Sequence, residues 1–136
     1  MKIFKKLSLI VLGALSLNAI EVVKVVNVYD GDTFKANLNC KEDIFCKNIL
    51  VRVARIDTPE LKGKCEVEKL NAIKAKEEVS NYFHNAKSIR LENIKRDKYF
   101  RILADIYIDD INLSNEMIKK DLAVPYEGLT KINWCK

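Results

Sequence analysis

Three short stretches hold the residues with the means to do chemistry: Asp30-Gly31-Asp32-Thr33, then Arg52 running to Asp57-Thr58-Pro59-Glu60, then Asp97-Lys98-Tyr99 running to Arg101. Carboxylate oxygens hold hard cations, guanidinium forks match phosphate oxygens, and a carboxylate left over takes a proton from water. Brought to one place, these groups would suit metal-assisted hydrolysis of a phosphodiester. Each stretch also has a plainer reading. Asp-Gly is a common turn dipeptide, and Thr58-Pro59-Glu60 has the form of a helix start with Thr58 as cap. Either arginine would be at home in solvent. The joint occurrence of all the pieces, in this order, favours the chemical reading.

The elements that must position these groups follow from periodicity. Val22 to Tyr29 is rich in β-branched residues and predicts a strand ending at the Asp30-Gly31 turn. The next run sets Phe34, Ala36 and Leu38 on one face, and Asp32 shares their parity, so its carboxylate should point inward at the strand's mouth. A hairpin leads to Ile49, Val51 and Val53, again with a period of two. Parity alone does not bring Asp57 to the side of Arg52, so a turn at Thr58-Pro59 would have to rotate the chain. Residues 66–85 carry Ala72, Ala75, Val79 and Tyr82, with Ala86 just beyond, at helical spacing. Ile89 and Leu91 predict a fourth strand, and Phe100, Ile102, Ala104, Ile106 and Ile108 a fifth. Asn112 to Leu122 predicts a short helix with Ser114 as its cap. Five short strands with one inserted helix and a short helix after the last strand suit an α+β fold dominated by β, a closed barrel of the oligonucleotide-binding type.

A chain of 136 residues has room for one domain. Lys2, Lys5 and Lys6 followed by the apolar run Leu7 to Leu17 and Leu17-Asn18-Ala19 read as a secretory signal peptide over residues 1–19. The mature protein is then residues 20–136, exported to the periplasm or secreted, with membrane contact only if the segment stays uncleaved. Removing its three lysines leaves 21 basic against 19 acidic residues, a net charge of +2 where the whole chain has +5. Net charge is therefore weak evidence for a polyanionic partner, and the crowding of Lys95, Arg96, Lys98 and Arg101 says more. Four cysteines in an exported chain point to disulfides, with three possible connectivities. Cys40 with Cys46 would staple the hairpin, leaving Cys65 with Cys135 to tie the segment after Glu60 to the region of Trp134.

Val28-Tyr29-Asp30-Gly31-Asp32-Thr33, the run from Val51 to Glu60, Asp97 to Ala104 and Ile118 to Ala123 together closely resemble the staphylococcal nuclease (thermonuclease) family. The resemblance implies that Asp32 and Asp57, with the backbone carbonyl of Thr58, hold Ca²⁺. It implies that Arg52 and Arg101 bind the scissile phosphate and that Glu60 is the general base toward water. It further implies a monomeric enzyme with no obligate protein partner, hydrolysing DNA and RNA and leaving 3′-phosphate ends. Lys98, Tyr99 and Tyr126 are expected substrate contacts. His84, the only histidine, lies in the predicted helix and is expected on its surface, which leaves a carboxylate as the base.

Some positions depart from the family pattern. Phe100 stands where a small residue is common, Arg55 adds a charge expected either to pair with Asp30 or to be solvated, and the match fades after Ala123. A third helix is not expected after Tyr126, and the Cys65–Cys135 bridge would compensate for its packing. Two other readings use fewer of the residues: a barrel that binds single-stranded nucleic acid without chemistry, and a secreted calcium-binding interaction domain. The first leaves three acids facing a polyanion, and the second leaves both arginines idle.

Overall fold

The computed structural model describes residues 19–136, so the expected signal segment lies outside the described residues except for Ala19. The elements run β1 (Ile20–Val28), β2 (Thr33–Leu38), α1 (Asp43–Cys46), β3 (Ile49–Val53), β4 (Ile56–Asp57), α2 (Glu66–Asn85), β5 (Ile89–Arg96), β6 (Ile102–Ile108), β7 (Ile111–Asn112), α3 (Leu113–Lys119) and β8 (Val124–Pro125). Strands β3, β2, β1, β5 and β6 hydrogen-bond in that order, and a parallel pairing of β3 with β6 joins the two ends. Five strands thus close into the expected barrel.

Alternation fills the barrel. Phe34, Ala36 and Leu38 of β2, Val51 and Val53 of β3, Leu91 of β5 and Ala104, Ile106 and Ile108 of β6 are all buried. Helix α2 adds Ala72, Ala75, Val79 and Phe83, the last with its ring 4.7 Å from that of Phe34. Phe83, rather than Tyr82 or Ala86, completes the buried face of that helix; Tyr82 stays half-buried and donates through its hydroxyl to Glu116. His84 is exposed, as expected.

Several local expectations change. Strand β6 begins at Ile102, because Phe100 takes a left-handed backbone (φ 62°) in the turn before it, and its side chain is exposed. Helix α3 is capped by Asn112, whose carboxamide oxygen accepts from the Asn115 amide, and not by Ser114. Ser114 is buried one residue inside the helix and donates from its hydroxyl to the Ala54 carbonyl at 2.7 Å. No helix starts at Thr58-Pro59-Glu60. The helix starts at Glu66, with the Cys65 sulfur accepting from the Glu68 amide.

Both expected disulfides form, Cys40–Cys46 and Cys65–Cys135. The first encloses the single helical turn α1 within the β2–β3 connection; the second draws the segment after β8 back to the start of α2. Among the described residues no helix is long and apolar enough to cross a membrane.

Candidate active site

At the mouth of the barrel β2 and β3 run antiparallel with Thr33 opposite Arg52, while β3 pairs with β6 with Arg52 opposite Leu103. Arg52 is therefore held between two neighbours, and the residue is 8% exposed. Its Nη2 lies 3.3 Å from Asp32 Oδ2 and 3.7 Å from Asp57 Oδ1, and its Nη1 donates to the Val53 carbonyl at 2.8 Å. Parity made Asp32 inward-facing, and it is. Asp57 arrives by a route that parity did not contain. After β3 the Val53 amide donates to the Asp32 carbonyl and the Ala54 amide to the Ala104 carbonyl, and then Arg55 takes φ 71°. That left-handed step turns the chain before Asp57, not at Thr58-Pro59, and β4 starts with reset parity.

Thr58 locks the two acids together. Its amide and its hydroxyl both donate to Asp32 Oδ2, at 3.0 and 3.1 Å. Close approach at this point requires Gly31, since a Cβ there would fall 2.8 Å from Ala75 Cβ and 2.8 Å from Thr58 Cγ2. Asp30 sits behind this pair and accepts from the Asp32 amide; burial, followed by the charge of Asp32, pushes its pKa up to about 7.

Glu60 is exposed at the rim. Its loop is fixed from below by Glu68, a residue sequence reasoning passed over, whose buried carboxylate accepts from the Glu60 amide at 3.3 Å and the Lys64 amide at 3.1 Å. A Cβ at Gly63 would lie 2.6 Å from that carboxyl group, so glycine is needed there as well.

Arg101 stands just before β6, the strand paired with that of Arg52. Arg52, Arg101, Lys98, Tyr99 and Tyr126 all line one cleft of about 430 Å³. Asp97 holds Arg101 through its Nε at 2.6 Å, and the Arg101 guanidinium stacks 5.2 Å from the Tyr99 ring centre. Burial works to raise the Asp97 pKa, but the hydrogen bonds from Arg101 and from the Tyr99 amide outweigh it and hold the carboxyl below its ordinary value. Arg55 does not pair with Asp30; its side chain stays largely exposed to solvent. It binds Asp105 through Nε at 2.9 Å, and Asn93 donates to the same buried carboxylate at 2.7 Å.

The segment after β8 supplies two further residues that sequence reasoning did not assign. Lys131 Nζ lies 3.2 Å from Asp57 Oδ1 and 3.4 Å from Glu60 Oε1, and Trp134 Nε1 donates to Asp57 Oδ2 at 3.3 Å. Burial acts to lower the Lys131 pKa, but Asp57 and then Glu60 more than offset it, leaving the ammonium above its usual value. A signal existed. Cys65 stands five residues beyond Glu60 and Cys135 follows Trp134, so their bridge draws Trp134 toward this rim.

The donor set suits a hard divalent cation, although only in part. Asp57 Oδ1 is buried with no hydrogen bond, so it is an acceptor aimed only at cationic groups. Among the described residues no group of three or more His, Cys, Asp or Glu side chains is arranged to hold a metal. Two aspartates would need a backbone oxygen, water and substrate oxygens to complete six to eight ligands.

A family model described as "Staphylococcal nuclease homologue" matches residues 50–133. Among curated proteins, a probable endonuclease of Schizosaccharomyces pombe is 35% identical over 95 residues, covering 65% of this chain and 41% of its own length. An uncharacterized endonuclease of Haemophilus influenzae is 33% identical over 104 residues, covering 76% of this chain and 52% of its own length. An endonuclease of Bacillus subtilis is 35% identical over 122 residues, covering 79% and 53%. The chain thus spans about half the length of these relatives.

Proposed function

The chain belongs to the staphylococcal nuclease family, and from that premise we propose that it is a nuclease: a calcium-dependent hydrolase of phosphodiester bonds in DNA and RNA. In the same reading residues 1–19 direct export, residues 20–136 act as a monomer in the periplasm or outside the cell, and the products carry 3′-phosphate ends. The observation that carries this reading is the meeting of Arg52 with two buried aspartates, one of which has an oxygen without a hydrogen bond. Asp32, Asp57 and the Thr58 carbonyl would hold Ca²⁺, which when bound would polarise a phosphate oxygen and offset negative charge building at phosphorus.

The protein's own groups do the rest. Arg52 and Arg101, which line one cleft, clamp the phosphate that gathers charge as water adds. Glu60, exposed at the rim, takes the proton from the attacking water as the new P–O bond forms. Cleavage of the P–O5′ bond then releases the 5′ oxygen, which takes up a proton from solvent, and leaves the phosphate on the 3′ oxygen. Lys98, Tyr99 and Tyr126 line the side of the cleft where a neighbouring nucleotide would lie, the tyrosines offering faces for stacking.

The test is cleavage of single-stranded DNA and of RNA by the purified protein, with calcium and with chelator. Calcium-dependent cleavage that falls by about 10² to 10⁴ in Glu60→Gln supports the proposal. Cleavage indifferent to both chelator and Glu60→Gln overturns it. Retention of nucleic acid without cleavage would instead support the non-catalytic binding barrel.

A further inference from the structure

Residues 127–135 form no helix or strand, yet they lie across the site. At one end the Tyr126 amide donates to the Arg55 carbonyl at 2.9 Å; at the other, Cys135 is bonded to Cys65. Between these anchors little is buried. Leu129 is 86% exposed and Ile132 49% exposed, so the strap is held by its ends and by polar contacts rather than by a core. Those polar contacts are aimed at one place. Lys131 reaches Asp57 and Glu60, and Trp134 reaches the other oxygen of Asp57.

We propose that Lys131 competes directly with the divalent cation for Asp57, and that the Cys65–Cys135 bridge sets the strength of that competition by holding the strap over the site. The inference rests on the functional reading above, which gives Asp57 to the metal and Glu60 to the base. An ammonium 3.2 Å from Asp57 Oδ1 and a cation bound to that same oxygen cannot share the position. The ammonium also spans to Glu60, so the group that engages the metal ligand engages the proposed base as well. Admission of the cation then requires the strap to lift, and its exposed apolar residues give little resistance. The tether keeps the ammonium at high local concentration: two anchors confine it near Asp57, and opening the bridge would let the free end drift away.

The experiment is calcium titration by calorimetry of the whole protein, with Trp134, the only tryptophan, as an independent fluorescence reporter. In Lys131→Gln, calcium affinity is expected to rise roughly 2- to 10-fold, the range of a half-exposed ion pair. Cys65→Ser with Cys135→Ser is expected to give a rise of the same size without changing any charge near the site. Serine also keeps an acceptor at the cap of α2. Calcium is expected to shift Trp134 emission in the wild-type protein and to shift it less in the double serine variant. Lys131 is itself half-exposed and Asp57 keeps Arg52 as a counter-charge, so Lys131→Gln remains decisive if the double variant does not fold. Wild-type binding with no gain in Lys131→Gln, or with Trp134 emission indifferent to calcium, overturns this inference alone. Calcium binding by none of the proteins overturns it together with the metal reading beneath it.

Discussion

Arg52 and Arg101 carry the same proposed task, yet they are built in opposite ways. Arg52 is 8% exposed, fixed on a strand with neighbours on both sides, and its guanidinium is the counter-charge of two buried aspartates. Arg101 follows a left-handed turn at the lip of the cleft and is held by one acid, Asp97, four residues before it. One wall of the site is therefore part of the fold's interior. The other is a surface loop placed beside it. Residues on the first wall must answer to stability and chemistry together, while residues on the second are free to answer to chemistry alone.

The sharpest way to break this comparison is to delete both arginines in turn. Arg52→Ala leaves Asp32 and Asp57 buried without their shared partner, and unfolding stability should fall by about 3 to 5 kcal/mol, measured by urea denaturation. Lys131 still reaches Asp57, so a loss at the low end of that range would show how much charge the strap supplies. Gly31→Ala tests the same wall through packing. Its methyl would press on Ala75 and Thr58 at 2.8 Å and should cost about 1 to 3 kcal/mol, with the Asp32–Thr58 hydrogen bonds weakened as the turn backs away. Arg101→Ala should cost less than about 1 kcal/mol, because Asp97 keeps hydrogen bonds from the Tyr99 and Arg101 amides. Its nuclease activity should nevertheless fall by roughly 10² to 10³, the scale of one lost oxyanion contact. Equal stability losses in the two arginine variants would remove the distinction between the walls.

The same division explains what could be read from the sequence. Period-two alternation placed Asp32 inward and gave the barrel, because buried strands leave a pattern in residue type. Helix α2 was legible to its boundaries, since its small apolar stripe has no competing period. Asp57 was not placed by pattern, because the turn that aims it depends on Arg55 at φ 71°, and arginine carries no mark of a left-handed backbone. Arg55 is held there by Asp105, to which Asn93 in turn donates, and these two side chains come from two other strands, so the cause is tertiary. Glu68 and Lys131 were passed over for a related reason: a charged residue in a helix's first turn or in an irregular tail ordinarily serves solvent. Only the cysteine beside Trp134 hinted that the tail returns.

Phe100 supplies the smallest effect and the finest edge to the comparison. It occupies φ 62° and is 80% exposed, so it carries the cost of a left-handed backbone without repaying it through burial. That cost is about 1 to 2 kcal/mol for a residue with a Cβ, and glycine avoids it while losing some entropy from the unfolded chain. The hydrogen bonds that shape the turn are made by main-chain atoms of Phe100, its amide to the Asp97 carbonyl and its carbonyl to Arg96, and they survive the change. Phe100→Gly should therefore raise unfolding stability, by about 0.5 to 1 kcal/mol in urea denaturation. A gain is what a loop outside the core permits. A loss would mean that the aromatic ring supports the Arg101 wall after all, and that the two sides of the cleft are less different than their burial suggests.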